Sequence, residues 1–531
     1  MKKIFHITIC CALAGLLSAC NSDLLDIEQR GVLAESSYFQ TDEEAVSCVA
    51  TLYNLWKAEA FDGARNLGVM SPDVYNGGGI RNDNVAGEQL NEFRYTTEHS
   101  QLSSYFKRLY TMIYNANLIL ERFSDDSDEK LRVKAEAKFF RAYSNFMLVT
   151  LWGTPYYVDH VLASSEYQLP NAESPDIFWK AIEDDLNDAI SSGKLPSKKD
   201  IDDPTTGLRL TKECALAYLG KAYLWEKKYA DAAKVLQQVI DSGKYGLVDD
   251  LGILFHSAGD HCREYLAEAE SLNDVNNWNR QNNFSGYYWG WKTTNSIVLN
   301  KNQDKWPYAI GGYGFVNPTL TFVNLVKSVE GENGKRFKNY FVTWDYMVEE
   351  YGATATRNHF YNEGWFETKL LLKKEDNFSY VSSSGWMYGH QNFPHMRYAE
   401  VLLMAAEAYL QSGDNTNALK YFNQVRSRAA APLADNITID DVLVERRVEL
   451  WGESPVIFQD MQRYRLGEKW CGNQFVKYPV YTLIGDYASH PEIIWYDNGF
   501  EEFGFKEKHY LLPYSSSEMR SNPNLTQNPG W

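Results

Sequence analysis

The chain lacks any long hydrophobic run beyond its first twenty residues, and it is short of positive charge. No later stretch approaches the roughly 18 consecutive apolar residues of a membrane span, which argues against an ordinary membrane channel. The 52 Lys and Arg residues are outnumbered by 70 Asp and Glu residues, leaving a net charge of −18. Since affinity for phosphate backbones comes from Lys and Arg, this balance argues against a nucleic-acid-binding protein.

Cysteines are also scarce, and chemistry-bearing motifs are missing. Beyond residue 20 the chain has only Cys48, Cys214, Cys262 and Cys471, too widely spaced for a zinc pattern or a C-x-x-C motif. An exported chain could pair them, but four buried small hydrophobic residues are the favoured interpretation. No histidines stand four apart, and no G-x-S-x-G, H-E-x-x-H, Walker or dinucleotide-binding fingerprint is present. We therefore predict no catalytic residues, no metal and no cofactor.

The first nineteen residues have the form of an export signal. Met1-Lys2-Lys3 is a short basic start, and an apolar stretch runs from Ile4 to Ala19. A membrane-anchoring helix is the alternative, but sixteen residues are short for one. The ending Leu-Ser-Ala-Cys resembles the bacterial lipobox, in which cleavage leaves Cys20 as an acylated N-terminus. We predict a lipoprotein signal peptide at 1–19 and a lipidated tether at 20–40.

Helical periodicity dominates both ends of the remaining chain. Thr41 with Glu44 has the form of a capping box, followed by apolar residues at helical spacing. Long helices are predicted over 102–123 and 131–152, the second ended by Gly153. A further helix is predicted over 178–190. These patterns predict a mostly α fold.

Two segments fit the tetratricopeptide pattern, a helix pair with small residues where the helices touch. One copy contains Gly220 and Tyr223, and the other contains Ala405 and Tyr409. We predict a single domain over 41–531, with helical repeats at about 41–245 and 395–465. The intervening insertion, about 246–394, is rich in Asn, Gly, Tyr and Trp, weak in helical period and predicted to be irregular. Long irregular segments in compact proteins are usually functional.

Aromatic residues make up 15% of the chain, more than a core needs, and they are densest at 276–291 beside many amides. A flat ring with polar neighbours matches a sugar, which has a C–H face ringed by hydroxyls. We predict a ligand surface built by the insertion and the early glycine-rich loop. The stacking candidates are Trp278, Tyr287, Tyr288, Trp289, Trp291 and Tyr75, and the hydroxyl-binding candidates are Asn76, Arg81, Asn279 and Asn282.

Ordinary core packing is the competing interpretation of these rings. In an extended segment neighbouring side chains point to opposite faces, so about half of the cluster would be buried. Trp289 and Trp291, spaced by two, are the pair expected to share a face.

Several blocks in a fixed order resemble the SusD/RagB family of surface nutrient-binding lipoproteins. After Cys20 come K-A-E-A-K-F-F-R-A-Y at 134–143, R-Y-A-E-V-L-L at 397–403, E-R-R-V-E-L at 445–450 and N-P-N-L-T-Q-N-P-G at 522–530. The resemblance spans nearly the whole mature chain. One departure follows E-R-R-V-E-L: Glu453 to Val456 lacks the family's glycine and arginine, and the spacing to Asp460 is one residue longer, which puts local packing in question.

This resemblance implies a fold and a function. The implied fold is a right-handed superhelix of tetratricopeptide-like helix pairs with a large, irregular, loop-rich ligand-binding half. The implied function is to bind an oligosaccharide or polysaccharide at the outer membrane, facing the cell exterior. The implied partner is a TonB-dependent, SusC-like outer-membrane porin, and no catalysis is implied. The alternatives are a binder of peptides or another nutrient on the same scaffold, a helical-repeat adaptor and a surface hydrolase.

Acylation of Cys20 generates a test. We expect Cys20→Ala to give unprocessed or released protein, because the thiol carries the lipid and several acyl chains are needed for stable attachment. Membrane fractionation with mass spectrometry of the N-terminal peptide measures both effects. A free, unmodified Cys20 thiol on membrane-associated wild-type protein would contradict the prediction.

Overall fold

The computed structural model describes residues 38–204, 208–272, 296–308, 313–376, 389–453, 455–472 and 474–531. Over these residues the fold is mostly α, as predicted, and its strands are short. The N-terminal part contains seven helices among the described residues, which are α1 (Asp42–Asp62), α2 (Val85–Asn91), α3 (Ser100–Arg122), α4 (Asp128–Trp152), α5 (Asp176–Ser191), α6 (Lys212–Trp225) and α7 (Tyr229–Asp241).

Successive helices of this part pack side by side. Contacts join α3 to α4, α4 to α5, α5 to α6 and α6 to α7, and α1 packs across α3 and α4. In the pair α6–α7, Gly220 faces Leu236 so closely that an added Cβ would lie 2.6 Å from Leu236 Cγ. The tetratricopeptide expectation of a small residue at the helix contact is thus confirmed at this position.

The second helical part begins at residue 398 and continues the same array. It contains α11 (Tyr398–Gln411), α12 (Asn415–Arg428), α13 (Ile439–Glu449), α14 (Val456–Tyr464) and α15 (Gly467–Cys471), and α16 (Ser516–Ser521) lies near the C-terminus. Helix α11 packs directly against α7 as well as against α12 and α13. The long insertion therefore leaves and re-enters between two helices that are neighbours in space.

The insertion is less irregular than predicted. Its described residues include α8 (Leu320–Glu330), α9 (Lys335–Tyr340) and α10 (Trp344–Tyr351). Helix α8 is capped by the Thr319 hydroxyl, which accepts from Phe322 N at 3.1 Å, and it buries Phe322, Val323 and Val326. This helical spacing is present in the sequence, but the Asn, Gly and Tyr around it conceal it.

Short antiparallel pairs connect the insertion to both ends of the chain. The strands are β1 (Val74–Asn76), β2 (Tyr265–Ala269), β3 (Ile297–Val298), β4 (Val316–Pro318), β5 (Phe341–Thr343), β6 (Thr354–Ala355), β7 (His359–Phe360), β8 (Trp365–Glu367), β9 (Phe393–Arg397), β10 (Lys477–Thr482) and β11 (Glu492–Asp497). β1 pairs with β4, β2 with β9, β3 with β6 and β5 with β8, and β10 lies between β7 and β11.

The predicted helix ends are confirmed. The Thr41 hydroxyl accepts from Glu44 N at 3.2 Å, and the Glu44 carboxylate accepts from Thr41 N at 3.0 Å, as a capping box requires. Helix α4 ends at Gly153, whose φ of +77° is in the left-handed region. The C-terminal segment covers this end, since Asn528 Nδ2 donates to Trp152 O at 3.0 Å. The last residues of the chain therefore complete an N-terminal helix.

A buried network of ions joins the insertion to the second helical part. Glu449, at the end of α13, accepts hydrogen bonds from Arg336 of α9, Arg397 of β9 and Arg428 of α12. Glu264 bridges Arg397 and Arg428, with 2.9 Å to the latter. All five side chains are buried. Since an unpaired buried charge is costly, each element of the network constrains the others.

The departure from the family pattern after residue 450 leaves the ion pairs intact. Glu453 contacts Arg397 through both oxygens, at 2.6 and 2.7 Å, and accepts from Lys369 at 2.6 Å. Asp460 accepts from Arg446 at 2.7 Å and from Arg463 at 2.8 Å. The longer spacing is therefore accommodated without loss of these contacts.

The remaining sequence expectations concern cysteines and membrane spans. Cys214 and Cys471 are buried and Cys48 and Cys262 half-buried, and none of the four forms a disulfide, so they pack as small apolar side chains. Over the residues that the structure describes, no helix is both long enough and apolar enough to cross a bilayer.

Glu449 provides a test of the network. We expect Glu449→Gln to lower the free energy of unfolding by about 3–5 kcal/mol, because three buried arginines lose their shared carboxylate. Burial would raise the pKa of Glu449, but Arg428, Arg397 and Arg336 lower it to about 2. Its stabilising effect is therefore complete above its ordinary pKa of 4.5 and is lost as the pH falls through about 2.

Denaturant unfolding of wild type and variant, from neutral pH down to about pH 3, measures this difference. The matched control is Glu507→Gln, which removes an exposed pair with Arg465 and should cost less than about 1 kcal/mol. If Glu449→Gln lowers the free energy of unfolding no more than the control does, the assigned role is contradicted. The same holds if the difference in unfolding free energy between wild type and Glu449→Gln does not become smaller as the pH falls toward about 3.

Candidate functional site

The predicted site residues separate into two groups. Trp278, Asn279, Asn282, Tyr287, Tyr288, Trp289 and Trp291 lie in 273–295, outside the described residues. Tyr75, Asn76 and Arg81 belong to the early glycine-rich loop, which the structure describes.

The early loop is joined to the insertion, as predicted. Tyr75 of β1 pairs with Asn317 of β4, and Gly78 bridges to Phe360 of β7. At Gly77 an added Cβ would lie 2.5 Å from Phe360 O, so glycine permits the close approach of the two backbones. The glycine-rich turn thus lies against the backbone of a neighbouring strand.

Two of the three loop candidates are buried, which corrects their predicted role as ligand contacts. The ring of Tyr75 stacks on Tyr361 at 5.1 Å and is enclosed in the core. Asn76 has no exposed surface, and its Oδ1 accepts from Asn84 Nδ2 at 3.0 Å. Both faces of β1 are covered, so these neighbouring side chains are buried although they point in opposite directions, and neither has a surface to offer a ligand.

Arg81 is half-buried and supports its neighbours. Its guanidinium contacts both oxygens of Glu92, one of them at 3.0 Å, and donates to Tyr361 Oη at 3.0 Å. The same group lies 5.0 Å from the ring centroid of Tyr478 and 5.1 Å from that of Phe500. Such cation–π contacts are favourable at these distances. Arg81 therefore fixes the positions of two rings at the surface.

A column of tyrosines leads from the core to the surface at this point. Tyr361 packs against Tyr478 at 5.5 Å, and Tyr478 stacks on Tyr496 at 5.6 Å with an interplanar angle of 20°. Tyr75 is the inner end of the column and Tyr496, which is 45% exposed, is its outer end. Phe500 is 41% exposed and lies 4.0 Å from the Arg94 guanidinium. We call Tyr478, Tyr496 and Phe500 the aromatic platform.

The hairpin of β10 and β11 explains the arrangement of the platform. Tyr478 and Tyr496 are directly opposite each other across the two strands, so their rings share one face. Trp495 is also exposed, but as the neighbour of Tyr496 it points to the other face of the hairpin. The two tyrosines of the platform are thus built on paired strands, which hold their rings more firmly than a free loop would, and Phe500 follows the end of β11.

The electrostatic surroundings of the platform hold Arg81 in place. Glu88 and Glu92 are buried beneath it and face Arg81 and Arg94. Burial raises the pKa of Glu88 to about 7, whereas the nearby Arg81 opposes this shift. Two arginines and two carboxyl groups thus form a compact support, and the rings above them are left as the exposed part of the site.

One cluster has the composition of a metal site. Of the residues the structure describes, His261, Glu268 and Glu270 bring their ligand atoms within 4.8 Å of one another. Asn392 Nδ2 donates to Glu268 at 2.9 Å and to Glu270 at 3.2 Å. The Glu268 carboxylate, 3.5 Å from His261 Nδ1, raises the pKa of His261 to about 9, which favours a charged imidazolium beside the two carboxylates.

Sequence reasoning did not identify the platform residues. The candidates were sought where aromatics are densest, at 276–291, whereas Tyr478, Tyr496 and Phe500 belong to the C-terminal part. A signal was present: K-Y-P-V-Y-T at 477–482 and E-I-I-W-Y-D at 492–497 are strand-like segments separated by nine residues. A hairpin prediction there would have paired the two tyrosines, but nothing in the sequence marks its contact with Arg81.

Comparisons with known proteins agree with this architecture. The sequence model of the SusD family matches residues 276–531, a model described as "Starch-binding associating with outer membrane" matches 35–224, and a tetratricopeptide repeat model matches 215–242. SusD-like protein P2 of Formosa agariphila is 23% identical, covering 95% of this chain and 96% of the relative. A SusD-like protein of Bacteroides ovatus is 24% identical, covering 97% and 96%.

Solved structures give the same result for the fold. A laminarin binding SusD-like protein superimposes with a TM-score of 0.73 at 24% identity, covering 93% of this chain and all of the other. Surface glycan-binding protein A from Bacteroides thetaiotaomicron, solved in complex with laminarihexaose, gives a TM-score of 0.72 at 20% identity, covering 92% and 99%. The fold and the sequence define a helical-repeat protein with a loop-rich insertion of the SusD type. The chain belongs to the SusD/RagB family.

Proposed function

We propose that this protein is a surface glycan-binding lipoprotein that delivers oligosaccharide to a TonB-dependent, SusC-like outer-membrane transporter. The glycan-binding part of this proposal rests on one observation, the aromatic platform. Its outer rings expose flat apolar faces in water, and covering them with the C–H face of a sugar removes that surface from water. The names of the relatives, among them a laminarin binding protein, support the same ligand class.

The platform is rigid enough to act as a binding surface. Tyr496 rests on Tyr478, and Phe500 contacts both Arg81 and Arg94. Rings held in this way lose little freedom when a ligand covers them, which favours binding. The rings predicted at 276–291 remain part of this proposal as further stacking surfaces, with Trp278, Trp289 and Trp291 as the first to be tested.

The membrane part of the proposal depends on Cys20 and on the family resemblance. One matching family model is described as associating with the outer membrane. A lipid anchor holds a protein at a membrane but moves nothing across it, so uptake requires a transporter. The proposed role is therefore binding and presentation, without a chemical step.

Glycan binding is tested by removing the outer rings. We expect Tyr496→Ala and Phe500→Ala each to weaken binding of a recognised glycan about tenfold to hundredfold, by analogy with the loss of a base-stacking ring. Isothermal titration and affinity electrophoresis against a polysaccharide panel that includes laminarin provide the measurement. Alanine variants of Trp278, Trp289 and Trp291 belong in the same series.

The matched control is Tyr114→Ala, which removes an equally exposed tyrosine from helix α3. Thermal melting establishes that each variant is folded. Wild-type affinity in both platform variants would place the ligand elsewhere, and binding of peptides in preference to all glycans would contradict the ligand class.

The transporter is tested by extraction in mild detergent followed by affinity capture of the tagged protein. We expect a large TonB-dependent barrel to be recovered with it, because a lid on a porin requires a large interface. The Cys20→Ala protein, separated from the membrane, is the control. Recovery of the monomer alone in several mild detergents would contradict the proposed partner.

A further inference from the structure

A cavity lies inside the insertion and shares no residue with the aromatic platform. It has a volume of about 220 Å³, and its lining includes Phe255, His256, Pro307, Tyr308, Thr368 and Lys373. Phe255 and His256 are buried, whereas Tyr308 and Lys373 are half-buried and so mark its outer side. Water occupies about 30 Å³ per molecule in the liquid, so about seven waters would fill this space.

His256 presents an unused hydrogen-bond acceptor. Its Nδ1 is 2.7 Å from Asp376, which also accepts from Ser257 N and Oγ. Burial lowers the pKa of His256, so the ring is neutral and Nδ1 carries the proton that it donates to Asp376. Nε2 therefore has a lone pair, and no residue in the described part of the chain donates to it. Only 3% of this side chain is exposed, and it lines the cavity.

Lys373 supplies donors to the same cavity. Its Nζ donates to Gly252 O at 2.6 Å across the cavity wall, which uses one of the three ammonium protons. Asp376 accepts from the backbone N–H of the same lysine at 3.1 Å, which joins Lys373 to the hydrogen bonds of His256. The cavity thus combines a spare acceptor with spare donors. A second ammonium group in the lining, that of Lys369, is already paired with Glu453 at 2.6 Å.

The rest of the lining mixes polar side chains, Asn339, Thr368 and Lys369, with an apolar part, and the backbone of that apolar part is strained at one residue. Phe255 has a φ of +66°, a value that bulky residues rarely adopt, and its N–H donates to Tyr265 Oη at 2.7 Å. This turn brings the ring of Phe255 and the imidazole of His256 to the cavity together. Backbone strain of this kind is concentrated at functional sites. The rings of Tyr308 and Tyr340 add further apolar surface.

We propose that this cavity binds a single small, neutral, polyhydroxylated molecule of the size of one hexose ring. Hydroxyl groups both donate and accept, which matches the lone pair of His256 and the protons of Lys373 together. The C–H groups of a ring match the apolar walls. At about 220 Å³ the cavity is smaller than the roughly 300–1,000 Å³ of pockets for larger ligands, which favours one sugar ring over an enclosed oligosaccharide. The site is therefore distinct from the proposed glycan platform.

The test uses the purified protein with D-glucose, D-galactose and D-mannose as probes. We expect at least one of them to bind with a Kd of about 1 mM, the range that ligand efficiency allows for so small a molecule. Saturation-transfer NMR and titration calorimetry measure the affinity. A crystal soaked with that hexose should show one sugar ring beside His256. Water alone in the cavity of the soaked crystal would overturn the proposal.

Matched lysine variants locate the binding in solution. Lys373→Met should weaken hexose binding at least tenfold while leaving polysaccharide binding unchanged. Lys374→Met is the control, because Lys374 Nζ also donates to a backbone carbonyl, Gln303 O, at 2.8 Å but does not line the cavity. Hexose binding that survives Lys373→Met and is lost in Tyr496→Ala would assign the sugar to the platform and overturn the proposal. Failure of the platform experiments alone would leave this site unaffected.

Discussion

The pairing of Glu449 with three arginines is the interaction on which the rest of the structure depends. Each arginine arrives from a different element: Arg336 from the insertion, Arg397 from the strand that ends it and Arg428 from a helix of the second array. In a low-dielectric interior none of these charges can remain unpaired, so the elements must all be in place together. The network thus fixes a chain segment of about 150 residues against the helices between which it is inserted.

That constraint separates the molecule into a scaffold and a functional half. The helices are regular because apolar and small residues recur at their contacts, as at Gly220. The insertion and the C-terminal part are held by ion pairs, short strand pairs and stacked rings. This arrangement leaves some aromatic surface exposed. Tyr496 illustrates the result: its exposed ring is supported by a column that reaches Tyr75 in the core. Binding surfaces supported by rigid elements of this kind suit the recognition of a ligand.

The candidate site could be predicted only in part. The early loop and the insertion do meet, and Arg81 does lie beside exposed rings. Tyr75 and Asn76 looked equally suitable in sequence, but their strand is covered on both faces and both side chains are buried. The platform tyrosines lie about 400 residues from Arg81, and no local pattern encodes a contact over that distance. His256 was passed over because its partner, Asp376, is 120 positions away.

The sequence by itself determined the class of the fold, the approximate extents of the long N-terminal helices and the family. Caps such as Thr41 with Glu44 and small residues such as Gly220 act within one turn or one helix pair. Their effects are therefore local and can be predicted from the sequence. Only the tertiary structure decided which rings are exposed, which acids share which arginines and where cavities remain. These outcomes depend on the packing of segments that are far apart in the chain, and a side chain's neighbours in space, rather than its neighbours in sequence, set its burial and its charge.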